Sequence, residues 1–218
     1  MKHLAVFSFL FLFCISHSAF SISLAVEAIG DYTVQKDNLP VPPPISHSNS
    51  AELGTGAGLI LGKSIMGPLD LELGAKYYKN VSTQTYADPS VTLKYTITWH
   101  TLEVPIGVRF WLAKFVSFGV GGYYQKFFGD ANLQTETTTQ GSTSSQSRAA
   151  SMKNDVGYQP ANWGAYGSAA LDFGLSGPTS IFVEGRYNAG IRDVSTVMNG
   201  YVLKLNNTQG IAGFRFRI

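Results

Sequence analysis

Charged side chains occupy alternate positions in several segments of this chain. In the final segment, Arg215 and Arg217 alternate with Phe214, Phe216 and Ile218. Alternate residues of a β-strand point to the same face, so opposite charges on neighbouring strands could meet there as ion pairs and charge-assisted hydrogen bonds. The other residues placed in this way are Glu27, Asp31, Asp70, Glu72, Lys76, Glu103, Arg109, Asp172, Glu184 and Arg186. We expect these side chains to form one network.

The opposite face of the same segments is aliphatic and aromatic and carries almost no charge. An arginine or lysine that faces lipid at mid-depth costs roughly 2–4 kcal/mol, whereas a whole domain is stable by only ~5–15 kcal/mol. The charges must therefore face an enclosed polar interior, and the apolar face must meet lipid. Because acids and bases are nearly balanced in number, the pattern favours an internal network of ion pairs and hydrogen bonds over an ion filter of one sign.

The alternation predicts eight strands, and the connections between them alternate between short turns and long loops. An even number of strands with this alternation of connections is typical of outer-membrane barrels. We predict an all-β fold, an eight-stranded antiparallel up-and-down transmembrane β-barrel, with both termini in the periplasm and the long loops outside. The approximate strand bounds are residues 24–32, 53–63, 69–77, 98–111, 115–127, 163–175, 180–188 and 210–218.

The beginning of the chain has the pattern of a secretory signal peptide. Lys2 and His3 precede an apolar run over residues 4–15, and small residues follow up to Ser21. We predict a signal peptide over residues 1–21 and a barrel domain over residues 22–218. Cys14, the only cysteine, lies in the signal peptide, so the mature chain would have no disulfide and no thiolate metal site.

The composition narrows the possible partners. The formal net charge is only +2 and there is no basic patch, which argues against nucleic-acid binding. Apart from the signal peptide, no segment approaches 18 consecutive apolar residues, so no helical membrane span is predicted. We expect contact with outer-membrane lipid and lipopolysaccharide, a monomeric state, and no cofactor.

Two segments depart from a regular barrel. Pro105 lies in the middle of the fourth predicted strand and lacks a backbone N–H, so we predict a bulge or local distortion there. Residues 130–151 are rich in Ser, Thr and Gln and cannot build a core of their own. We expect this segment to be a disordered, solvated loop, and the alternative is an adhesive or partner-binding surface.

Three segments also carry a family resemblance. Residues 182–191 read FVEGRYNAGI, residues 102–110 read LEVPIGVRF, and residues 119–123 read GVGGY. They resemble three strands of the outer-membrane β-barrel domain proteins often labelled "porin family", which are similar to small OmpA-type barrels of eight strands. The resemblance implies the bacterial outer membrane and makes Pro105 a family feature.

The resemblance also implies a role for the end of the chain. The barrel-assembly machinery reads the last strand of such proteins, so the resemblance implies that Phe214, Phe216 and Ile218 form the assembly signal. The family usually ends in an aromatic residue, whereas this sequence ends in Ile218 with Phe216 two positions before it.

Several functions remain open at this point. An eight-stranded barrel has an interior that side chains can fill, so we expect a mostly occluded lumen and a structural or surface-interaction role. Interior glycines could leave room for water, so a narrow porin for ions or very small solutes is the first alternative. A secreted soluble carrier would need an apolar cup, and the face that bears the charges is too polar for one.

A lipid-modifying enzyme at the rim is a remote alternative. It would use His47 or His100, the two histidines of the mature chain, but their spacing from other residues indicates no nucleophile, base and orienting group. We therefore expect no enzymatic activity. Calcium binding is not expected either, because the spacing of the aspartates at the loop bases matches no known ligand loop. These aspartates are Asp31, Asp130, Asp155 and Asp193.

Overall fold

The structure, a computed structural model, describes residues 21–37, 43–175, 177–195 and 202–218. The predicted signal peptide lies outside the described residues, except for Ser21. Within these ranges there are nine strands: β1 (Ile22–Asp37), β2 (Ser46–Met66), β3 (Leu69–Ala87), β4 (Val91–Ala113), β5 (Val116–Thr139), β6 (Ser142–Ala150), β7 (Ala161–Gly174), β8 (Thr179–Gly190) and β9 (Leu203–Arg217). No helix in the described part of the chain is long and apolar enough to cross a bilayer.

All strands except β6 form a closed antiparallel ring. Each of the eight strands pairs with its neighbours in the order β1, β2, β3, β4, β5, β7, β8, β9, and β9 returns to pair with β1. The ring closes down to its last residues, because Ile22 and Ile218 exchange backbone hydrogen bonds of 3.1 and 2.7 Å. The predicted all-β, eight-stranded, up-and-down barrel is therefore confirmed.

The two ends of the barrel differ. Both chain ends of the ring and the short connections β2–β3, β4–β5 and β7–β8 lie at one end, which we call the turn end. The connections β1–β2, β3–β4, β5–β7 and β8–β9 lie at the other end, which we call the loop end. Between them the outer wall is apolar, with exposed residues such as Val26, Leu59, Val120 and Val183. Exposed aromatic residues border this band towards the loop end, as in membrane barrels: Tyr32, Tyr77, Tyr124, Trp163 and Tyr187.

The strands extend beyond their predicted bounds at the loop end. Residues 79–95 are predicted as a loop, but β3 continues to Ala87 and β4 begins at Val91, which leaves a tight turn between them. The Asp88 carboxylate accepts the backbone N–H groups of Ser90 and Val91, each at 2.7 Å. These hydrogen bonds lower the pKa of Asp88 and hold the turn. The loop prediction fails here because Thr, Tyr and Val favour strands wherever a neighbour is available for pairing.

The prediction of a disordered loop over residues 130–151 is wrong. β5 continues to Thr139, and β6 pairs with it from Thr139 opposite Ser142 to Ala131 opposite Ala150. The two turn residues Gln140 and Gly141 have φ angles of 49° and 83°, and two positive φ angles suit the two-residue turn of a twisted hairpin. The side chains of β6 are exposed up to Ala149, so the hairpin stands in solvent and, as expected, builds no core.

Pro105 does not produce the predicted bulge. The register of β3 and β4 is the same on both sides of it, from Leu73 opposite Ile106 to Lys76 opposite Glu103, and only the pairs between these two are missing. Gly74 provides the space for the proline ring, because a Cβ there would lie 3.3 Å from Cγ of Pro105 and against Ile60. The distortion is therefore a local interruption of pairing with no change of register.

The apolar wall leads to a prediction about depth. We expect Val183→Arg to lower the free energy of unfolding by roughly 2–4 kcal/mol, because it sets a guanidinium against acyl chains near mid-depth. Phe115→Arg, in the turn between β4 and β5, is the matched control and should cost about 0–1 kcal/mol near the interface. Urea unfolding of the protein in lipid vesicles measures both values. Equal losses at the two positions would contradict the placement of this wall in lipid.

Candidate functional site

The interior of the barrel holds the predicted charged residues. All of them are buried except Asp70, which is half-buried, and Arg217, which is exposed at the turn end. Alternation along the strands places them there, since each predicted charge shares its face with buried neighbours and opposes the exposed apolar residues. The charged face of each strand therefore lines the interior of the ring, and the apolar face forms its outer wall.

Arg109 joins three strands in the centre of the network. Its Nε donates to Glu72 Oε1 at 2.6 Å and its terminal NH2 donates to Glu184 Oε2 at 2.7 Å. Its third nitrogen donates to the Ser117 hydroxyl at 3.0 Å. Glu184 is shared with Arg186, whose NH2 lies 2.8 Å from Oε1 of that carboxylate. Since each buried charge has a charged partner, the desolvation of both is offset.

Glu103 is the second centre, and its partners are mostly uncharged. The Tyr78 hydroxyl donates to its Oε2 at 2.6 Å, and the amides of Gln125 and Asn188 donate to the same oxygen at 3.0 and 3.1 Å. A separate ion pair joins Lys76 Nζ and Glu27 Oε2 at 3.0 Å. The interior thus combines ion pairs with amide and hydroxyl donors.

Asp31 has no basic partner among the residues that the structure describes. Its two carboxylate oxygens accept hydrogen bonds from Thr33 at 2.7 Å, Asn80 at 2.9 Å, Asn207 at 3.0 Å and Gln209 at 3.3 Å. Asp31 therefore lies in the interior and takes part in the network through hydrogen bonds, because amide and hydroxyl donors surround it. These amide residues lie at the same alternate positions as the charges, so a search for all polar residues on that face could have found them.

Trp111 and two arginines lie together at the turn end of the lumen. Arg215 donates through one nitrogen to both oxygens of Asp172, at 2.7 and 2.8 Å. The guanidinium carbons of Arg215 and Arg217 lie 5.1 and 4.7 Å from the centre of the Trp111 ring, within cation–π range. The indole N–H of Trp111 donates to Asp70 at 2.7 Å. This arrangement brings together four of the predicted charges.

The interior holds an apolar cluster at the loop end that is not predicted from the sequence. Its buried members, which we call the loop-end cluster, are Ile97, Trp99, Phe127, Ala131, Met152, Tyr158, Val194, Leu203 and Leu205. Trp99 makes edge-to-face contacts with Phe127 and Tyr158, at 6.3 and 6.0 Å between ring centres. The prediction of a polar interior therefore holds only within the membrane-spanning part. The signal available was the position of Trp99 on the same face as the interior charges.

The structure does not assemble the other candidate sites. Nδ1 of His47 lies 3.9 Å from Asp37 Oδ1, and its buried Nε2 has no hydrogen-bond partner within the described ranges. His100 stacks on Tyr77 at 5.6 Å at the outer wall. Among the described residues, no three or more His, Cys, Asp or Glu side chains could hold a metal ion, and the candidate aspartates do not come together.

The central ion pairs give a testable prediction. We expect Arg109→Met to lower the free energy of unfolding by about 3–5 kcal/mol, because Glu72 and Glu184 stay buried without their partner. Adding Glu72→Gln should recover part of the loss, since it removes one of the uncompensated charges. Lys204→Met, at an exposed position of β9, is the control. A loss at Arg109 as small as the one at Lys204 would show that the interior pairs do not hold the barrel together.

Solved structures of several bacterial surface proteins are similar to this chain. Neisserial surface protein A is 17% identical with a TM-score of 0.42, and the match covers 92% of this chain and 98% of that one. OprG of Pseudomonas aeruginosa is 14% identical with a TM-score of 0.45, over 93% and 97%. Ail, the attachment invasion locus protein of Yersinia pestis, is 12% identical with a TM-score of 0.38, over 89% and 98%.

The family comparison is more direct. No curated protein matches the chain. The family model described as the outer membrane protein β-barrel domain matches residues 17–196, which is most of the chain. This match agrees with the closed eight-stranded ring and its apolar outer wall. The chain therefore belongs to the outer membrane protein β-barrel domain family.

Proposed function

We propose that this protein has a structural or surface-interaction role in the outer membrane, with a mostly occluded lumen and no enzymatic activity. The observation that carries the proposal is the loop-end cluster, whose buried side chains come from β4, β5, β9 and the segments next to them. A path through the lumen would have to pass this cluster, then the Arg109 and Glu103 centres, and then Trp111.

The filling of the lumen supports occlusion. The largest fully buried side chains include Trp99, Arg109, Tyr78 and Lys76, which come from different heights of the ring. An eight-stranded barrel encloses only enough space for such side chains. Arg109, Tyr78 and Lys76 are each held by an ion pair or a hydrogen bond to a buried glutamate, so opening a channel would break several buried contacts at once.

The extended sheet at the loop end supports a surface role. β2, β3, β4, β5 and β6 continue side by side beyond the membrane-spanning part, from Ser46 opposite Ala87 to Thr139 opposite Ser142. The outer edge of β6 pairs with no other described strand. We propose that this sheet lies outside the cell and that both termini lie in the periplasm. Rigid scaffolds commonly present binding surfaces on such external elements.

The remaining partners follow from the same proposal. Outer-membrane lipid and lipopolysaccharide would contact the apolar wall and its aromatic border. The barrel-assembly machinery would read the last strand through Phe214, Phe216 and Ile218, of which the first two face outward beside Arg215. We propose a monomer, because the ring is complete within a single chain.

A narrow porin is the second candidate, and one observation favours it. Several buried polar atoms of the lumen have no hydrogen-bond partner in the described part of the chain, among them Glu72 Oε2, Asn188 Oδ1 and Gln209 Oε1. Buried polar atoms of this kind are usually satisfied by water. A connected chain of such waters would be the start of a conducting path.

Conductance across a planar bilayer separates the two candidates. We expect folded protein to produce no channel events, because the lumen is closed at both ends and in its centre. A general porin in the same bilayer serves as the positive control, and the shift between unheated and boiled samples on a gel verifies folding. Reproducible single-channel steps from the pure protein would replace the proposal with the porin alternative.

Proteolysis of intact cells tests the orientation. We expect trypsin to cut near Arg148 or Lys153, which lie at the end of β6 and in the turn after it. Lys114, in the turn between β4 and β5, is the internal control and should be cut only after the cells are broken. The variant Arg148→Gln/Lys153→Gln should lose the first fragment. Cleavage at Lys114 in intact cells would invert the proposed orientation.

A further inference from the structure

A cleft of about 610 Å³ opens beside the hairpin at the loop end. We call it the aromatic cleft and define it by its lining: Ile45, Gln84, Tyr86, Leu93, Tyr95, Ile97, Leu133, Arg148, Asp155 and Val156. It lies outside the lumen network and uses none of the charges that hold the barrel together. Its volume falls within the usual range for sites that bind small molecules.

The floor and walls of the cleft are apolar and aromatic. Ile97 belongs to the loop-end cluster, and Leu133 and Val156 pack against that cluster. Tyr86 and Tyr95 meet edge to face, with ring centres 5.9 Å apart and planes at 77°. Two rings at this angle present both a face and an edge. A third aromatic ring could stack on the face and meet the edge, which are the two arrangements that aromatic pairs prefer.

Contacts with His47 and Gln35 hold the walls of the cleft in place. His47 stacks on Tyr86 with ring centres 4.6 Å apart and planes at 21°. The Gln84 side chain donates to Gln35 Oε1 at 2.5 Å, which ties this wall to β1. Because these contacts exist without any ligand, little ordering would be needed when one binds, and that favours affinity.

The roof of the cleft is also fixed. Asp155 accepts a hydrogen bond from the Ser151 backbone N–H at 2.8 Å and another from Arg148 at 3.2 Å. The backbone N–H of Val156 donates to the Ser151 carbonyl at 3.1 Å. Asp155 therefore closes the turn that carries Val156, and it joins that turn to β6. Both hydrogen bonds favour the carboxylate and lower the pKa of Asp155.

The charge of the lining selects a neutral ligand. Arg148 and Asp155, the only ionised side chains of the lining, neutralise each other as an ion pair of 3.2 Å. Burial raises the pKa of Tyr86, so its hydroxyl stays protonated at neutral pH. The lining therefore carries no net charge, which favours a neutral ligand over an ion.

We propose that the aromatic cleft binds a neutral aromatic molecule of one or two rings. Its ring would lie against Tyr86 and Tyr95 above the floor of Ile97 and Leu133. A polar group on the ligand would find the Gln84 amide at the mouth, and the Arg148 guanidinium can stack on a ring face. This site is independent of the proposed surface role, because a small molecule can bind whether or not a macromolecular partner exists.

Indole is a suitable probe, and cyclohexanol is its small, neutral and non-aromatic counterpart. We expect indole, added to isotope-labelled full-length protein in lipid nanodiscs, to shift the NMR signals of Leu93, Ile97 and Leu133 in a saturable manner. Tyr95→Leu should weaken the apparent affinity about fivefold, since it removes one aromatic contact worth roughly 1 kcal/mol. Val156→Trp, which fills the cleft from the roof, should abolish the saturable shifts.

Tyr124→Leu is the matched control, because Tyr124 is an exposed tyrosine of the outer wall. It should leave indole binding unchanged, and the gel shift of unheated protein verifies that each variant is folded. Shifts that rise linearly along the lipid-facing residues would mean partition into the bilayer and would overturn the proposal. Equal binding of cyclohexanol, or wild-type affinity in both cleft variants, would also overturn it.

Discussion

Closure of the ring by β1 and β9 is the constraint on which the rest of the structure depends. A bilayer offers no water to an unpaired backbone N–H or C=O, so a sheet can cross it only when no edge is left open. Here the pairing runs along both strands, from Ser23 opposite Arg217 to Asp37 opposite Leu203. Once the ring is closed, alternation divides every strand into a lipid face and an interior face. No residue can change face without a bulge.

That division decides what the interior must contain. A charge cannot face lipid cheaply, and a buried charge without a partner is destabilising, so the interior residues have to satisfy one another. Arginine suits this task because its planar guanidinium serves several acceptors at once, as Arg109 does with Glu72, Glu184 and Ser117. Beyond the membrane the same strands enclose Trp99 and Leu203, and there the interior becomes an ordinary hydrophobic core.

The sequence predicts the barrel well and its outer part poorly, for a physical reason. Inside the membrane the contrast between Glu72 or Arg109 and the leucines around them is large, so alternation is visible. In the hairpin both faces are polar, so strand residues such as Thr137 and Ser144 have the same composition as a solvated loop. In the sequence of this segment, only the two turn residues Gln140 and Gly141 indicate a hairpin. The interior amides and Trp99 were not predicted, because the charged residues alone were used to identify the interior face. The interior of this barrel also contains uncharged hydrogen-bond donors and, at its loop end, apolar side chains.

The aromatic cleft and the loop-end cluster share residues, so a ligand in the cleft would also affect the cluster. Leu133 and Val156 line the cleft and also pack against the loop-end cluster. A molecule in the cleft would add contacts to residues that already hold the cluster together, and binding stabilises the state that makes those contacts. A ligand bound in the cleft should therefore stabilise the packing of the loop-end cluster. The extended sheet at the loop end and the barrel interior are thus joined by one apolar layer, and a ligand bound on the far side of that layer should stabilise its packing.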